Sequence, residues 1–226
     1  HSAEEASAFV EALAHAVAAA HRAGIIHRDL KPANILLARE GGHEGKPGLA
    51  GLAPKITDFG LARWAERGEG LTRTGALAGT PAYMSPEQAA GQGEVGPAAD
   101  VWALGAVLYE MLTGRPPFQG ATTMDTLDRV RHADPVPPGR LATRLPRDLE
   151  VICLKCLEKE PGRRYPSAAA LADDLGRYRR GEPIQARPAG TMERAWKWAR
   201  RRPALASLLA ATIAALVIGF GVSAYF

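Results

Sequence analysis

The sequence predicts an α+β, mainly helical fold, and three observations lead to it. Apolar residues recur at helical spacing from Glu4 to Ala23, where Phe9, Leu13, Val17 and Ala20 share one stripe. Ala98 to Leu112 is apolar on nearly every side, the pattern of a helix sunk in a core. Strand-like runs are few and short: Ile35-Leu36-Leu37, with Lys55-Ile56-Thr57 as its hairpin partner.

Each element has its own start or stop signal. Gly24 ends the first helix, since a glycine accepts the left-handed conformation that closes one. Between the two strands lies Gly-rich Ala38 to Pro54, far longer than the roughly two to five residues of a hairpin loop. It reads as a tolerated surface insertion, because its His43 has no second ligand candidate nearby. Gly114-Arg115-Pro116-Pro117-Phe118 breaks the apolar helix. Thr122 to His132, Asp148 to Glu158 and Ser167 to Arg180 are further helical patterns, punctuated by Pro135-Val136-Pro137-Pro138 and Gly181-Glu182-Pro183. Cys153 and Cys156 are the only cysteines, and a C-x-x-C can be half a zinc site or a redox pair. They fall inside the amphipathic run Leu149 to Leu157, however, so they read as small apolar residues packed in a helix. Two cysteines build no disulfide framework, in keeping with a cytoplasmic location.

The 226 residues suffice for one or two domains with a sizeable core, and 46% of them are hydrophobic. The formal net charge of +4 is confined to one place: Arg194, Lys197, Arg200, Arg201 and Arg202 against Glu193, with residues 1–192 formally neutral. That distribution argues against a nucleic-acid-binding face and for a basic collar beside a membrane. From Ala204 to Phe226 there is no charged residue over 23 positions. As a helix this run would be about 34 Å long, enough to cross a hydrocarbon core of roughly 30 Å. Trp196 and Trp198 beside the arginines supply the interfacial aromatic signal, and the positive charge holds the amino-terminal side in the cytoplasm. The chain thus divides into a domain over residues 1–182, a basic juxtamembrane linker over 183–203 and a single transmembrane helix over 204–226. Ala211, Ala215 and Gly219 form a small-residue stripe on which two copies could pair as a homodimer.

Two motifs carry the chemistry. His27-Arg28-Asp29-Leu30-Lys31-Pro32-Ala33-Asn34 sets a carboxylate, an ammonium and an amide in one short loop, and Asp58-Phe59-Gly60 adds a second carboxylate. Together they resemble the catalytic loop and metal-binding turn of eukaryotic-type (Hanks-type) serine/threonine protein kinases of bacteria. The resemblance extends to about Arg180 with its landmarks in order. Gly79 to Glu87 is similar to the end of an activation segment, with Ser85-Pro86-Glu87 where the family usually has Ala-Pro-Glu. Asp100-Val101-Trp102-Ala103-Leu104-Gly105 resembles the start of the central helix, and Arg163-Arg164-Tyr165-Pro166 the late arginine motif. Only 26 residues precede His27 and they hold no G-x-G-x-x-G, so the Gly-rich loop, strand lysine and helix glutamate of the small lobe have no counterpart. The expectation is a protein-kinase large (C-terminal) lobe with the small lobe absent, a fragment of a longer protein, which by itself transfers little phosphate.

The resemblance implies a role for each residue. Asp29 would orient the substrate hydroxyl at the γ-phosphate of ATP, and Lys31 would spread positive charge over it; a lysine there points to serine/threonine acceptors. Asn34 and Asp58 are hard oxygen donors suited to Mg²⁺, and Leu36 would pack beneath the adenine ring. His27 and Phe59 would stack in a buried spine, with His27 not a base. Asp100 would hold the catalytic-loop backbone, or serve as a plain helix N-cap. Glu87 and Arg164 would form a buried ion pair, and Thr80 would line the floor where an acceptor docks. Arg28 beside Asp29 is the family's mark of activation by phosphorylation, for which Thr72 and Thr74 are the candidate sites. The implied partners are ATP, proteins presenting Ser or Thr, and a membrane; no nucleic acid is expected. The rival expectations are a pseudokinase or scaffold, or an inactive truncated product.

Overall fold

In the computed structural model, residues 2–39, 52–59, 81–91 and 95–186 are described. They contain the helices α1 (Ala3–Arg22), α2 (Pro86–Ala89), α3 (Ala98–Thr113), α4 (Thr123–His132), α5 (Arg147–Cys156) and α6 (Ala168–Arg179), and the strands β1 (Ile35–Arg39) and β2 (Leu52–Ile56). Residues 1–186 form one compact unit. Thr72, Thr74, Thr80, the basic collar, the uncharged run 204–226 and its small-residue stripe lie outside the described residues. Among the described residues, no helix is long and apolar enough to cross a membrane.

α1 begins with a capping box: the Ser2 hydroxyl accepts from the Glu5 N–H, and the Glu5 carboxylate accepts from the Ser2 N–H. Such a cap is worth about 1 kcal/mol, because it satisfies amides that no helical carbonyl can reach. The helix closes at Gly24, whose φ of +75° is open to glycine at no cost. Its buried stripe runs through Ala6, Val10, Leu13, Ala14, Val17 and Ala18, whereas Phe9 and Ala20 lie at its edge, half-buried. The period agrees with the sequence; the face is turned because α3 and α6 both press on α1 and centre the contact between them.

α3 is the axis of the domain, with every residue from Ala99 to Tyr109 buried. A helix with no wet side must be touched all round, and α1, α5 and α6 supply the contacts. The approach of α5 depends on Gly105: a Cβ there would sit 2.3 Å from the Cys156 Cβ. One turn back, the Cys153 thiol lies 3.7 Å from the Gly105 carbonyl. Both cysteines are free and fully buried, and burial pushes both thiols up. They act as packing residues on α5. At the end of the unit, buried Asp174 on α6 accepts from the Gln185 and Ala186 amides at 2.6 and 2.8 Å and from the Tyr165 hydroxyl at 2.7 Å.

The two strands pair antiparallel, Ile35 opposite Ile56 through Arg39 opposite Leu52. They therefore extend further into the Ala38–Pro54 stretch than the sequence indicated, and residues 40–51 lie outside the described residues. Beyond the last pair, the Thr57 amide and hydroxyl both donate to the Asn34 carbonyl, at 3.0 and 3.2 Å. The hairpin so ties the end of the His27–Asn34 loop to the residue preceding Asp58.

Gly105→Ala should lower the thermal midpoint of the protein, by about 1–3 kcal/mol of stability or more, because the added methyl has only the Cys156 side chain and backbone to displace. Thermal unfolding followed by circular dichroism measures it; an unchanged midpoint would show that α3 and α5 separate freely.

Candidate active site

The His27–Asn34 loop is held from below by a single carboxylate. Asp100, in the first turn of α3 and 1% exposed, accepts from the backbone N–H groups of His27 (2.9 Å) and Arg28 (2.8 Å). Its Oδ2 lies a further 2.7 Å from His21 Nε2, which donates to it from the last turn of α1. Three donors on one buried carboxylate offset the cost of taking it out of water. They also explain a strained backbone: Arg28 has φ +66°, a region that bulky residues avoid at a cost of about 1–2 kcal/mol. Asp58 shares this conformation, at φ +61°.

His27 is 1% exposed and both its ring nitrogens are engaged. Nε2 lies 2.9 Å from the Thr57 carbonyl, which can only accept, so Nε2 carries the proton. Nδ1 then accepts from the Asp29 N–H at 3.3 Å. With no free lone pair the ring is a spacer between loop and hairpin, not a base. Phe59 meets it edge-on, with centroids 4.8 Å apart and planes at 61°. Phe59 is, however, 40% exposed, so the expected burial of this stack is corrected: the ring is covered on its His27 side while much of the rest faces outward.

Above this platform, three polar side chains converge. Lys31 Nζ donates to Asp29 Oδ2 at 2.7 Å. Asn34 Nδ2 donates to the Asp29 carbonyl at 2.8 Å and to its Oδ2 at 3.3 Å. These bonds fix the Asn34 amide with its nitrogen inward, and no hydrogen bond among the described residues engages Oδ1. The Asp29 side chain remains 42% exposed, available to a substrate, and Asp58 is exposed at the end of the hairpin. Leu36 is 57% exposed beside them, an apolar surface open to a flat ring.

A second tie joins the segment after residue 80 to the body of the lobe. Arg164 is fully buried, and its five N–H groups meet five acceptors: Glu87 Oε1 and Oε2 (both 2.7 Å) and the carbonyls of Ala98 (2.8 Å), Glu158 (2.8 Å) and Lys159 (3.1 Å). Its guanidinium carbon also lies 5.0 Å from the Trp102 ring centre, and Trp102 stacks on Phe118 at 5.9 Å. Burial acts to raise the Glu87 carboxyl, but the Arg164 bonds and charge outweigh it and hold the group below the usual carboxylate range. Nearby, the Tyr83 hydroxyl donates to Glu110 Oε2 at 2.5 Å; burial, then that carboxylate, pushes the phenol up.

Sequence reasoning missed His21 and Gln88. His21 is six residues from His27, and its only signal was a polar side chain in the turn that closes α1. Gln88 caps Ser85 in the pattern Ser-x-x-Gln and also donates from Nε2 to the Arg28 carbonyl. The Ser-x-x-Gln spacing itself was legible as a capping box.

Comparison of the sequence with known proteins identifies its family. The family described as protein kinase domain matches residues 1–175, and the chain belongs to that family. It is 44% identical over 167 residues to the serine/threonine-protein kinase PknB of Mycobacterium tuberculosis, covering 74% of this chain and 25% of that protein. The serine/threonine-protein kinase PkaA of Streptomyces coelicolor is 42% identical over 177 residues, covering 78% of this chain and 30% of that protein. PknB of Mycobacterium leprae is 42% identical over 166 residues, 74% of this chain and 25% of its own. The matched part of the chain thus spans between 25% and 30% of the length of these relatives.

Because Glu87 ionises more readily in the folded protein, its pair with Arg164 contributes stability above the ordinary carboxylate pKa of about 4.5. That contribution is lost as pH falls through the lower, folded value. Glu87→Gln should therefore cost about 3–5 kcal/mol at pH 7, where it strands a buried arginine. The gap to the wild type should narrow as pH drops below the usual carboxylate range. Urea unfolding across pH measures both; a gap independent of pH would contradict the ionic account.

Proposed function

We propose that the protein is a serine/threonine protein kinase that transfers the γ-phosphate of ATP to hydroxyls of other proteins. The observation that carries this reading is the Asp29–Lys31–Asn34 cluster, hydrogen-bonded internally and mounted on buried Asp100. Phosphoryl transfer asks a protein mainly for positioning and charge. Asp29, partly exposed, accepts a hydrogen bond from the acceptor hydroxyl and aims its oxygen. Lys31, held against Asp29 before substrate arrives, places its ammonium beside the transferring group. The donor set fits a hard cation: Asn34, its nitrogen bound to Asp29, leaves Oδ1 without a hydrogen bond among the described residues, and Asp58 offers an exposed carboxylate. Mg²⁺, when bound, would supply neutralisation of charge on the phosphate oxygens. Leu36 presents an apolar surface to the adenine.

The wider reading is a kinase anchored in a membrane through residues 204–226, with its catalytic portion in the cytoplasm. The uncharged run and its Lys197–Arg202 collar support it. Phosphorylation at Thr72 or Thr74, read by Arg28, would switch it on.

Asp29→Asn should abolish phosphorylation of a generic Ser/Thr substrate by the full-length gene product, by about 10³-fold or more, with ATP affinity retained. Full activity in that variant sinks the assignment of Asp29. A reporter that is active only outside the cytoplasm, fused after Phe226, should light up; a silent, well-expressed fusion contradicts the proposed orientation.

A further inference from the structure

Gln88 is engaged at both ends. Its Oε1 accepts from the Ser85 N–H at 3.0 Å and from the Ser85 hydroxyl at 3.1 Å, while Nε2 donates across 60 positions of sequence to the Arg28 carbonyl. A backbone N–H can only donate and a carbonyl can only accept, so one end of this side chain must be an acceptor and the other a donor. An amide meets both demands, and a carboxylate does not. Glutamate serves a capping box as well as glutamine does. The cap alone therefore gives no reason for glutamine here; the Arg28 carbonyl does.

That carbonyl belongs to a peptide of consequence. Arg28 stands at φ +66°, with its N–H on Asp100 Oδ1 at 2.8 Å. The N–H on the other side of the Arg28–Asp29 peptide goes to His27 Nδ1 at 3.3 Å. Gln88 holds the remaining polar atom, the oxygen, and with it the orientation of the plane from which the Asp29 side chain departs. We infer that Gln88 is a positioning residue for phosphoryl transfer: it locks the Arg28–Asp29 peptide from the Ser85–Ala89 turn, so that Asp29 is aimed only when that turn is formed. The inference rests on the kinase reading above.

Two variants of the full-length gene product test it. Gln88→Glu keeps the bonds to Ser85 and turns an acceptor toward the Arg28 carbonyl; Gln88→Met keeps the bulk and loses all three side-chain bonds. A positioning role lowers kcat about tenfold in both, with KM for ATP and for the protein substrate within about twofold of wild type. Gln88→Met should also lower the thermal midpoint, since it removes the side-chain half of the capping box while the Ser85 hydroxyl still accepts from the residue-88 N–H. A merely structural role gives the opposite pattern, with Gln88→Glu at wild-type kcat. Either folded variant at wild-type kcat overturns the inference, so Gln88→Met decides alone should Gln88→Glu not fold. A wild-type protein that transfers no phosphate overturns the kinase reading itself, and this inference with it.

Discussion

The buried Asp100 carboxylate is the interaction on which the rest of the site depends. It lies near the start of α3, a helix enclosed on all sides, so its position is set by the packing of the core, not by a surface loop. From there it grips two consecutive amides of the loop and one imidazole. A backbone at positive φ persists only where its surroundings over-determine it, and two consecutive amides bound to one rigid carboxylate achieve that for Arg28. The close contact of Gly105 with Cys156 belongs to the same argument. By letting α5 lie directly on α3, it keeps the anchor from shifting under the loop.

Arg164 plays the corresponding part for the segment that ends in Ser85-Pro86-Glu87. Its planar fork distributes five donors over five acceptors drawn from Glu87 and three separate backbone positions. A lysine, with three donors on a point charge, could satisfy neither the bidentate carboxylate nor the three carbonyls. Gln88 follows directly on Glu87, so the residue that fixes this segment to the lobe is adjacent to the one that touches the loop. The two anchors, Asp100 and Arg164, are also linked through α3, since Arg164 bonds the carbonyl of Ala98, two residues before Asp100.

How much of this was legible in the sequence follows from which interactions are local. The helices were readable because apolar spacing and caps lie within each segment: Thr122 and Ser167 opened their patterns and proved to be the capping residues before α4 and α6. The motif spacing brought out Asp29, Lys31 and Asn34, which meet within one loop, and the Glu87–Arg164 and Asp100 contacts through the order of the landmarks. The buried face of α1 was readable at Leu13 and Val17, but not its exact turn, which leaves Phe9 and Ala20 at the edge because two distant helices set it. His21 and Gln88 escaped for the same reason: each acts on a partner brought near only by the fold, 79 and 60 positions away. The exposure of Phe59 escaped as well, since a ring in a motif does not reveal what lies against its far side.

The two kinds of ion pair in this domain should respond differently to dissolved salt. Arg179 reaches Glu4 and Glu11 across the α1–α6 seam from a partly exposed position, where counter-ions at physiological strength screen charges over about 8 Å. Arg164 and Glu87 meet out of reach of those ions. Rising ionic strength therefore relaxes the outer seam first, while the largely buried tie between Arg164 and Glu87 keeps its strength.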